Sequence, residues 1–402
     1  MRVLPDADWR GQRGLAALVA ALGPAGGGPR YVGGAVRDTL LGLPVSDIDL
    51  ATPLAPPEVV RRLKAAGIKA IPTGIAHGTV TAVAQGVPVE VTTLRRDVST
   101  DGRHAVVAYT DSWHEDAARR DFTINALYAD PPTGAVTDFF GGLDDLAARR
   151  VRFIGDPYRR IAEDHLRILR FFRFHARFGE EPDADALAAC VARANDLMAL
   201  SRERIAAELL KLLVAPGAVA TVTLMLAHGI LTPVLPEIAD ARRLTGLAAA
   251  EARAGIAPDP VRRLAALLPR DPALGETIAA RLKLSKAQRR RLILAATERP
   301  GDPREDAYRV GREAAIDRQL LRGDVDAPHD LLDWAIPRLP LTGGALVARG
   351  LIAGPSVAAA LRQVEQQWIA EKFPAQPRVE SIADSVVDAI IRHAADASSG
   401  RA

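Results

Sequence analysis

Strand-like patterning in this chain of 402 residues stops near residue 140, and that boundary constrains the fold more than any other feature. Between about residues 30 and 140 the segments YVGG, DIDLAT, GTVTAV, VPVEVTTLR and VVAY are short, β-rich and broken by Gly or Pro, as the strands of a small sheet are. From about residue 156 onward apolar residues recur with helical spacing, over 157–178, 183–199, 202–214, 216–229, 260–269, 274–283, 286–297 and 357–371. Two further helices are expected at 56–66 and 113–128. The expected class is α+β, a head with a small mixed sheet followed by a long all-helical arm. A chain of this length exceeds one ordinary core, so about two to four domains are expected.

Composition narrows the function classes. The single cysteine, Cys190, excludes a disulfide framework and a cysteine-rich zinc site and points to a reducing compartment, the cytoplasm. No apolar run reaches the roughly 20 residues that span a bilayer, so no membrane partner is expected. The net charge of +3 is small, but the charge is clustered. Residues 151–180 hold seven Arg against four acids, and RLKLSKAQRRR (Arg281–Arg291) holds no acid. Such clusters suit phosphate backbones.

The chemistry-bearing residues lie in five stretches. In SDIDL, Asp47 and Asp49 flank Ile48; on a strand, residues two apart share a face, so both carboxylates converge while Ile48 turns inward. Two converging carboxylates repel unless a cation intervenes, and a hard divalent ion such as Mg²⁺ prefers oxygen ligands. In GGAVRD, Gly33 and Gly34 let the backbone approach a phosphate, and Arg37 adds a guanidinium fork. Alternation in VPVEVTTLR puts Glu90 and Thr92 on the polar face, which makes Glu90 a candidate third carboxylate. In RRDFTINALY, Asp121 is a candidate helix cap, with Arg120 beside that helix start. The stretch 157–178 reads as one helix that starts at Asp156–Pro157 and ends at Gly179. On its wheel, Ile168, Leu169, Phe172 and Ala176 oppose Arg167, Arg170 and Arg177, with Asp164 and Arg173 at the flanks. Asp164 and Arg167, three residues apart, make neighbours and together offer the acceptors and donors needed to read a base edge.

In this order, GGAVRD, SDIDLAT, TGIAHGTVT, VEVTTLR, RRDFTINALY, EDHLRILRFFRFHARFG and SRERIAAEL resemble the bacterial class II CCA-adding tRNA nucleotidyltransferase and poly(A) polymerase family. The likeness covers roughly residues 31–210 and loosens afterwards. It implies a nucleotidyltransferase head (1–145), a helical neck with a nucleotide-selecting helix (146–215), an RNA-binding body (216–335) and a tRNA-binding tail (336–402). It also implies addition of C, C and A to tRNA from CTP and ATP, with a protein template in place of a nucleic acid one. Asp47 and Asp49 then resemble the Mg²⁺ ligands and catalytic carboxylates, with Glu90 as the third. Gly33, Gly34, Arg37 and Arg120 resemble nucleotide contacts. Asp164 and Arg167 resemble the base-selecting pair, and Arg170 and Arg173 carry that helix toward the phosphates. Glu203, Arg204 and Glu208 match a family motif that braces this helix. His165 departs from the family, which usually has a small residue or Pro there. The alternatives are a poly(A) polymerase, a CC-only or A-only adding enzyme, and a non-catalytic RNA-binding protein. The segment 95–122 looks more like the CCA-adding branch.

Overall fold

The computed structural model describes residues 2–24, 27–75, 78–100, 105–297 and 301–399. The chain divides into two compact units: Met1–Ala241 with Ile278–Leu284, and Arg242–Thr277 with Ser285–Ala402.

The first unit is α+β. Its strands are β1 (Arg30–Val32), β2 (Ile48–Thr52), β3 (Lys69–Gly74), β4 (Thr79–Ala84), β5 (Val87–Thr93), β8 (Leu127–Ala129) and β9 (Val136–Asp138), in the order β3-β4-β5-β2-β1-β8-β9. The sheet is mixed: β2 and β5 run parallel, with Asp49 opposite Glu90, while the other neighbours are antiparallel. β6 (Arg95–Thr100) and β7 (Ala105–Tyr109) form a separate antiparallel pair. Val80 and Ala82 of β4 and Val89 and Val91 of β5 are buried, so the alternation visible in sequence sets which face meets the core. Helices α1 (Arg13–Leu22), α2 (Gly34–Leu40), α3 (Pro56–Ala65), α4 (Trp113–Ala118) and α5 (Gly142–Ala147) complete the sheet-bearing part, followed by α6 (Pro157–Glu163), α7 (Arg167–Phe178), α8 (Ala184–Ala192), α9 (Arg202–Leu213) and α10 (Ala218–Ala227).

Three expected helices are corrected here, one of them 183–199, which is α8 followed by a 3-10 helix at Ala194–Ala199. The run 113–128 holds only α4, then a 3-10 turn at Thr123–Asn125 and strand β8. Residues 157–178 are two helices, because Asp164 is extended (φ −153°, ψ 106°) between α6 and α7. Asp156 caps α6 by accepting from the Tyr158 N–H, with Pro157 at the first position. The α7 helix buries more of its surface than one stripe: Phe171, Phe174 and Phe178 are buried beside Ile168, Leu169, Phe172 and Ala176. The Phe122 ring lies 4.8 Å from Phe153 and 5.3 Å from Phe174, so aromatic packing joins α7 to the sheet-bearing part.

The second unit is helical among the described residues, with α11 (Arg242–Arg253), α12 (Pro260–Leu267), α14 (Lys286–Ala296), α15 (Pro303–Val310), α16 (Arg312–Arg322), α17 (Ala327–Asp333), α18 (Gly343–Ala348), α19 (Pro355–Ala370) and α20 (Gln376–Ser399); α13 (Pro272–Arg281) precedes α14. Helix α20 continues as far as Ser399. One core cluster gathers Leu346, Val364, Trp368, Val379 and Ile382. The Arg281–Arg291 stretch is not a bare basic face. Arg281 pairs with Glu237, Lys283 with Glu203, Arg289 with Glu276, and Arg291 with Asp259 and Asp317.

A buried ionic network crosses this unit. Asp317, 0% exposed, accepts from Arg291 Nη2 at 2.8 Å and Arg262 Nη1 at 3.4 Å, while Glu251 holds Arg262 and Arg263 at 2.8 Å each. Burial drives the Asp317 carboxyl upward against the pull of Arg291 and Arg262. Its charge is therefore tolerated rather than strongly favoured, but its hydrogen bonds are needed. Asp317→Ala is expected to cost the second unit about 1–3 kcal/mol by removing a buried acceptor that Arg291 and Arg262 share, although Asp259 and Glu251 still hold them, and Asp317→Asn distinctly less. Urea unfolding measures both; an Ala variant as stable as the native chain would contradict this.

Candidate active site

Ten of the eleven residues singled out from sequence line one cavity of about 620 Å³ in the first unit: Gly33, Gly34, Arg37, Asp47, Asp49, Arg120, Asp164, Arg167, Arg170 and Arg173. Glu90 does not line it. Its side chain is exposed on β5, directly across the parallel ladder from Asp49.

The carboxylate end of the cavity is built by β2. Asp47 precedes the strand, is exposed and accepts from the Ser46 hydroxyl at 2.9 Å. Asp49 lies within the strand and is half-buried, between buried Ile48 and Leu50. Burial, then the Glu90 charge and to a smaller degree Asp47, push the Asp49 carboxyl up to about 6, against the pull of Arg120. Asp49 in β2, Glu90 across the ladder and Asp47 just before the strand bring like charges near one another, and a hard divalent cation would relieve that repulsion through oxygen donors. Among the described residues, no group of three or more His, Cys, Asp or Glu is placed to hold a metal ion.

The glycine turn joins β1 to α2. Gly33 has φ 66° and ψ −122°, a region closed to other residues, so a side chain here is strained whatever the space. Four residues on, Arg37 is 4% exposed. It donates to Asp38 at 2.8 Å and to Asn125 Oδ1 at 2.5 Å, and its guanidinium lies over the Phe174 and Phe178 rings at 5.1 and 4.6 Å. Asp38 also accepts from Arg177 at 3.0 Å. These contacts fix Arg37 in one orientation before any anion arrives.

The opposite wall is the α6–α7 junction. Asp164 and Arg167 share the cavity, but their side chains do not pair as a continuous helix requires. The Asp164 carboxylate accepts from Arg204 Nη2 at 2.8 Å and from the Leu166 N–H at 3.1 Å. Arg167 donates to Glu163 at 2.5 Å and to the Arg160 and Arg119 carbonyls at 2.8 and 3.1 Å. His165 turns aside, its Nδ1 at 3.0 Å from the Ile161 carbonyl, and does not line the cavity. One turn on, Arg170 donates to Asp121 at 2.7 Å and Arg173 to Glu208 at 2.5 Å. Arg204 and Glu208 of α9 thus each hold one end of the cavity wall, while Glu203 faces Lys283.

Five cavity residues carry no site role in the sequence reading: Arg95, Arg119, Asp121, Asn125 and Phe174. Asp121 does not cap a helix as the sequence suggests: the 3-10 turn Thr123–Asn125 has Phe122 at its N-cap position and no side-chain cap. Asp121 accepts from the Phe122 N–H at 2.9 Å and Asn125 Nδ2 at 3.0 Å, and also takes Arg170. The Arg170 guanidinium holds its carboxyl well below the usual range despite full burial, which alone pushes it up. Asn125, four residues after Asp121 in RRDFTINALY, had a readable signal in that spacing.

The poly A polymerase head domain model matches residues 30–152, and the model for the probable RNA and SrmB-binding site of polymerase A matches 181–242. The mitochondrial CCA tRNA nucleotidyltransferase 1 of Mus musculus is 35% identical over 360 residues, covering 84% of this chain and 82% of that protein. The CCA-adding enzyme of Levilactobacillus brevis is 32% identical over 367 residues, covering 86% and 90%. In structure, the chain is similar to the Bacillus stearothermophilus CCA-adding enzyme in complex with CTP (TM-score 0.72, 25% identity, 96% and 98% of the chains). It shares its fold with the Thermotoga maritima CCA-adding enzyme complexed with tRNA (TM-score 0.68, 19% identity, 97% and 100%). Nucleotidyltransferases of this kind depend on a divalent metal. No helix among the described residues is long and apolar enough to cross a membrane. The chain is a nucleotidyltransferase and belongs to the CCA-adding tRNA nucleotidyltransferase and poly(A) polymerase family.

Proposed function

We propose that the chain adds C, C and A to the 3′ end of tRNA from CTP and ATP, releasing one pyrophosphate per nucleotide. The observation that carries this reading is that one cavity is lined by Asp47 and Asp49, by Asp164 and Arg167, and by further arginines. In each step the terminal 3′ oxygen attacks the α-phosphorus, the bond to the β-phosphate oxygen breaks, and the hydroxyl proton is lost. Asp47 and Asp49 would hold Mg²⁺, which supplies Lewis-acid charge to the phosphate oxygens. Glu90 takes a supporting place, its negative charge across the ladder favouring a cation at Asp49. Gly33 and Gly34 let the triphosphate approach the backbone, while Arg37 and Arg120 meet its oxygens; Arg170 and Arg173 extend that positive wall. Asp164 accepts from, and Arg167 donates to, the Watson–Crick edge of the base. The brace from Arg204 and Glu208 keeps this pair in place.

We assign residues 1–145 to the head, 146–215 to the neck, 216–335 to an RNA-binding body and 336–402 to a tRNA-binding tail. The helical parts would grip the acceptor end by shape and phosphate contacts, since duplex RNA presents little base readout. The single buried Cys190 supports a reducing compartment, the cytoplasm.

Extension of a tRNA transcript that lacks its terminal CCA tests the reading. With CTP and ATP the expected product carries C, C and A and then stops. A long A tail from ATP alone would make the chain a poly(A) polymerase, and addition limited to C or to A would make it a partial enzyme. The segment 95–122 bears on that choice, although its residues 101–104 lie outside the described residues.

A further inference from the structure

Asp116 carries no role in any motif above, yet it is the most heavily engaged carboxylate beside the cavity. It is 1% exposed. Its Oδ1 accepts from the Arg95 backbone N–H at 3.2 Å and from Arg119 Nε and Nη2 at 2.9 and 2.8 Å. Its Oδ2 accepts from Arg120 Nη2 at 3.1 Å and from the Tyr128 hydroxyl at 2.7 Å. Tyr128 in turn accepts from Arg120 Nε at 3.2 Å. Arg95, Arg119 and Arg120 all line the cavity, whereas Asp116 does not. Arg95 is also the first residue of β6, so the same carboxylate holds the root of the β6–β7 pair.

We propose that Asp116 is a positioning residue for nucleotidyl transfer, fixing Arg119, Arg120 and the backbone at Arg95 along the wall that receives the triphosphate of the incoming nucleotide. This rests on the cavity being the nucleotide site. One carboxylate between two guanidiniums leaves a net positive charge for phosphate, and it keeps both guanidiniums from repelling each other into solvent. Donors held in place need no rearrangement when the anion arrives, so nucleotide binding loses less free energy to ordering them. Tyr128, itself 0% exposed, completes the carboxylate's hydrogen bonding and orients Arg120.

The test is steady-state kinetics of Asp116→Asn on a tRNA transcript lacking its 3′ end. KM for both CTP and ATP is expected to rise about tenfold or more, with kcat and the tRNA KM within about threefold of native. A residue that merely stabilises the fold would lower the active fraction, and so kcat, without moving KM. Combining Asp116→Asn with Arg119→Gln is expected to be no worse than the more severe single variant, because the two act as one unit. Should Asp116→Asn fail to fold, Tyr128→Phe removes one donor only, and a rise of about threefold in nucleotide KM at unchanged melting temperature supports the assignment. Unchanged nucleotide KM in folded variants, or fully additive effects, would overturn it. If the native chain itself incorporates no nucleotide, the reading of the cavity fails instead, so the two failures are distinct.

Discussion

Asp49→Asn and Asp47→Asn are each expected to lower single-turnover incorporation of CMP and AMP by about 10³-fold or more, while the chain stays folded. The size follows from what the carboxylates would hold: a divalent charge on the transferring phosphate is the largest electrostatic contribution this cavity can make, and its other lining charges are mostly arginines. The folded state is spared for a reason that can be read from Asp49. Its carboxyl is pushed up to about 6 by burial and by Glu90, above the ordinary value near 4. A raised carboxylate pKa means that ionisation opposes folding, so this charge lowers stability as pH rises from about 4 through about 6 and leaves it lowered above that. Asn at position 49 is therefore expected to melt no lower than the native chain at pH 7 in the absence of metal. Near-native incorporation by either variant would contradict the metal assignment.

The second large effect is on base choice. Arg167→Ala and Asp164→Ala are each expected to lower kcat/KM for CTP and ATP by about 100-fold and to admit UTP and GTP, because a site built to hydrogen-bond a base edge discriminates through groups that a wrong base leaves unpaired. Incorporation from equimolar mixtures of the four nucleotides measures it. The local structure makes the result interpretable. Without Arg167, Glu163 still has Arg160 at 2.6 Å, so no carboxylate is orphaned. Without Asp164, Arg204 loses its partner but remains on a half-exposed surface. Unaltered selectivity in both variants would remove this pair from base reading.

What sequence made legible was short-range. Asp47 and Asp49, the glycine turn before Arg37 and the alternation around Glu90 are spacings of two or three residues on a strand or turn, and the backbone alone decides where they point. The α6–α7 break was less visible. A wheel drawn through 157–178 assumes continuity, whereas Asp164 bonds the Leu166 N–H, a local competitor to the helix that Asp residues readily form. The partners that fix the site were not legible at all. Asp121 meets Arg170 across 49 positions and Arg204 meets Asp164 across 40, and no local pattern encodes such pairs. In the second unit, α11, α15 and α16 escaped detection because their buried faces are partly ionic. Glu251, Asp306, Asp317 and Arg318 are buried, so polar residues interrupt the apolar period that marks a helix.

We propose that one cavity, read by one pair of side chains, serves both CTP and ATP. Equilibrium binding with the two nucleotides, separately and together in Mg²⁺, tests it most directly. One nucleotide bound per chain in total, with ATP displacing CTP competitively and Arg167→Ala weakening both, is the result the structure predicts. Simultaneous binding of CTP and ATP to one chain, or loss of one nucleotide only in that variant, would contradict it.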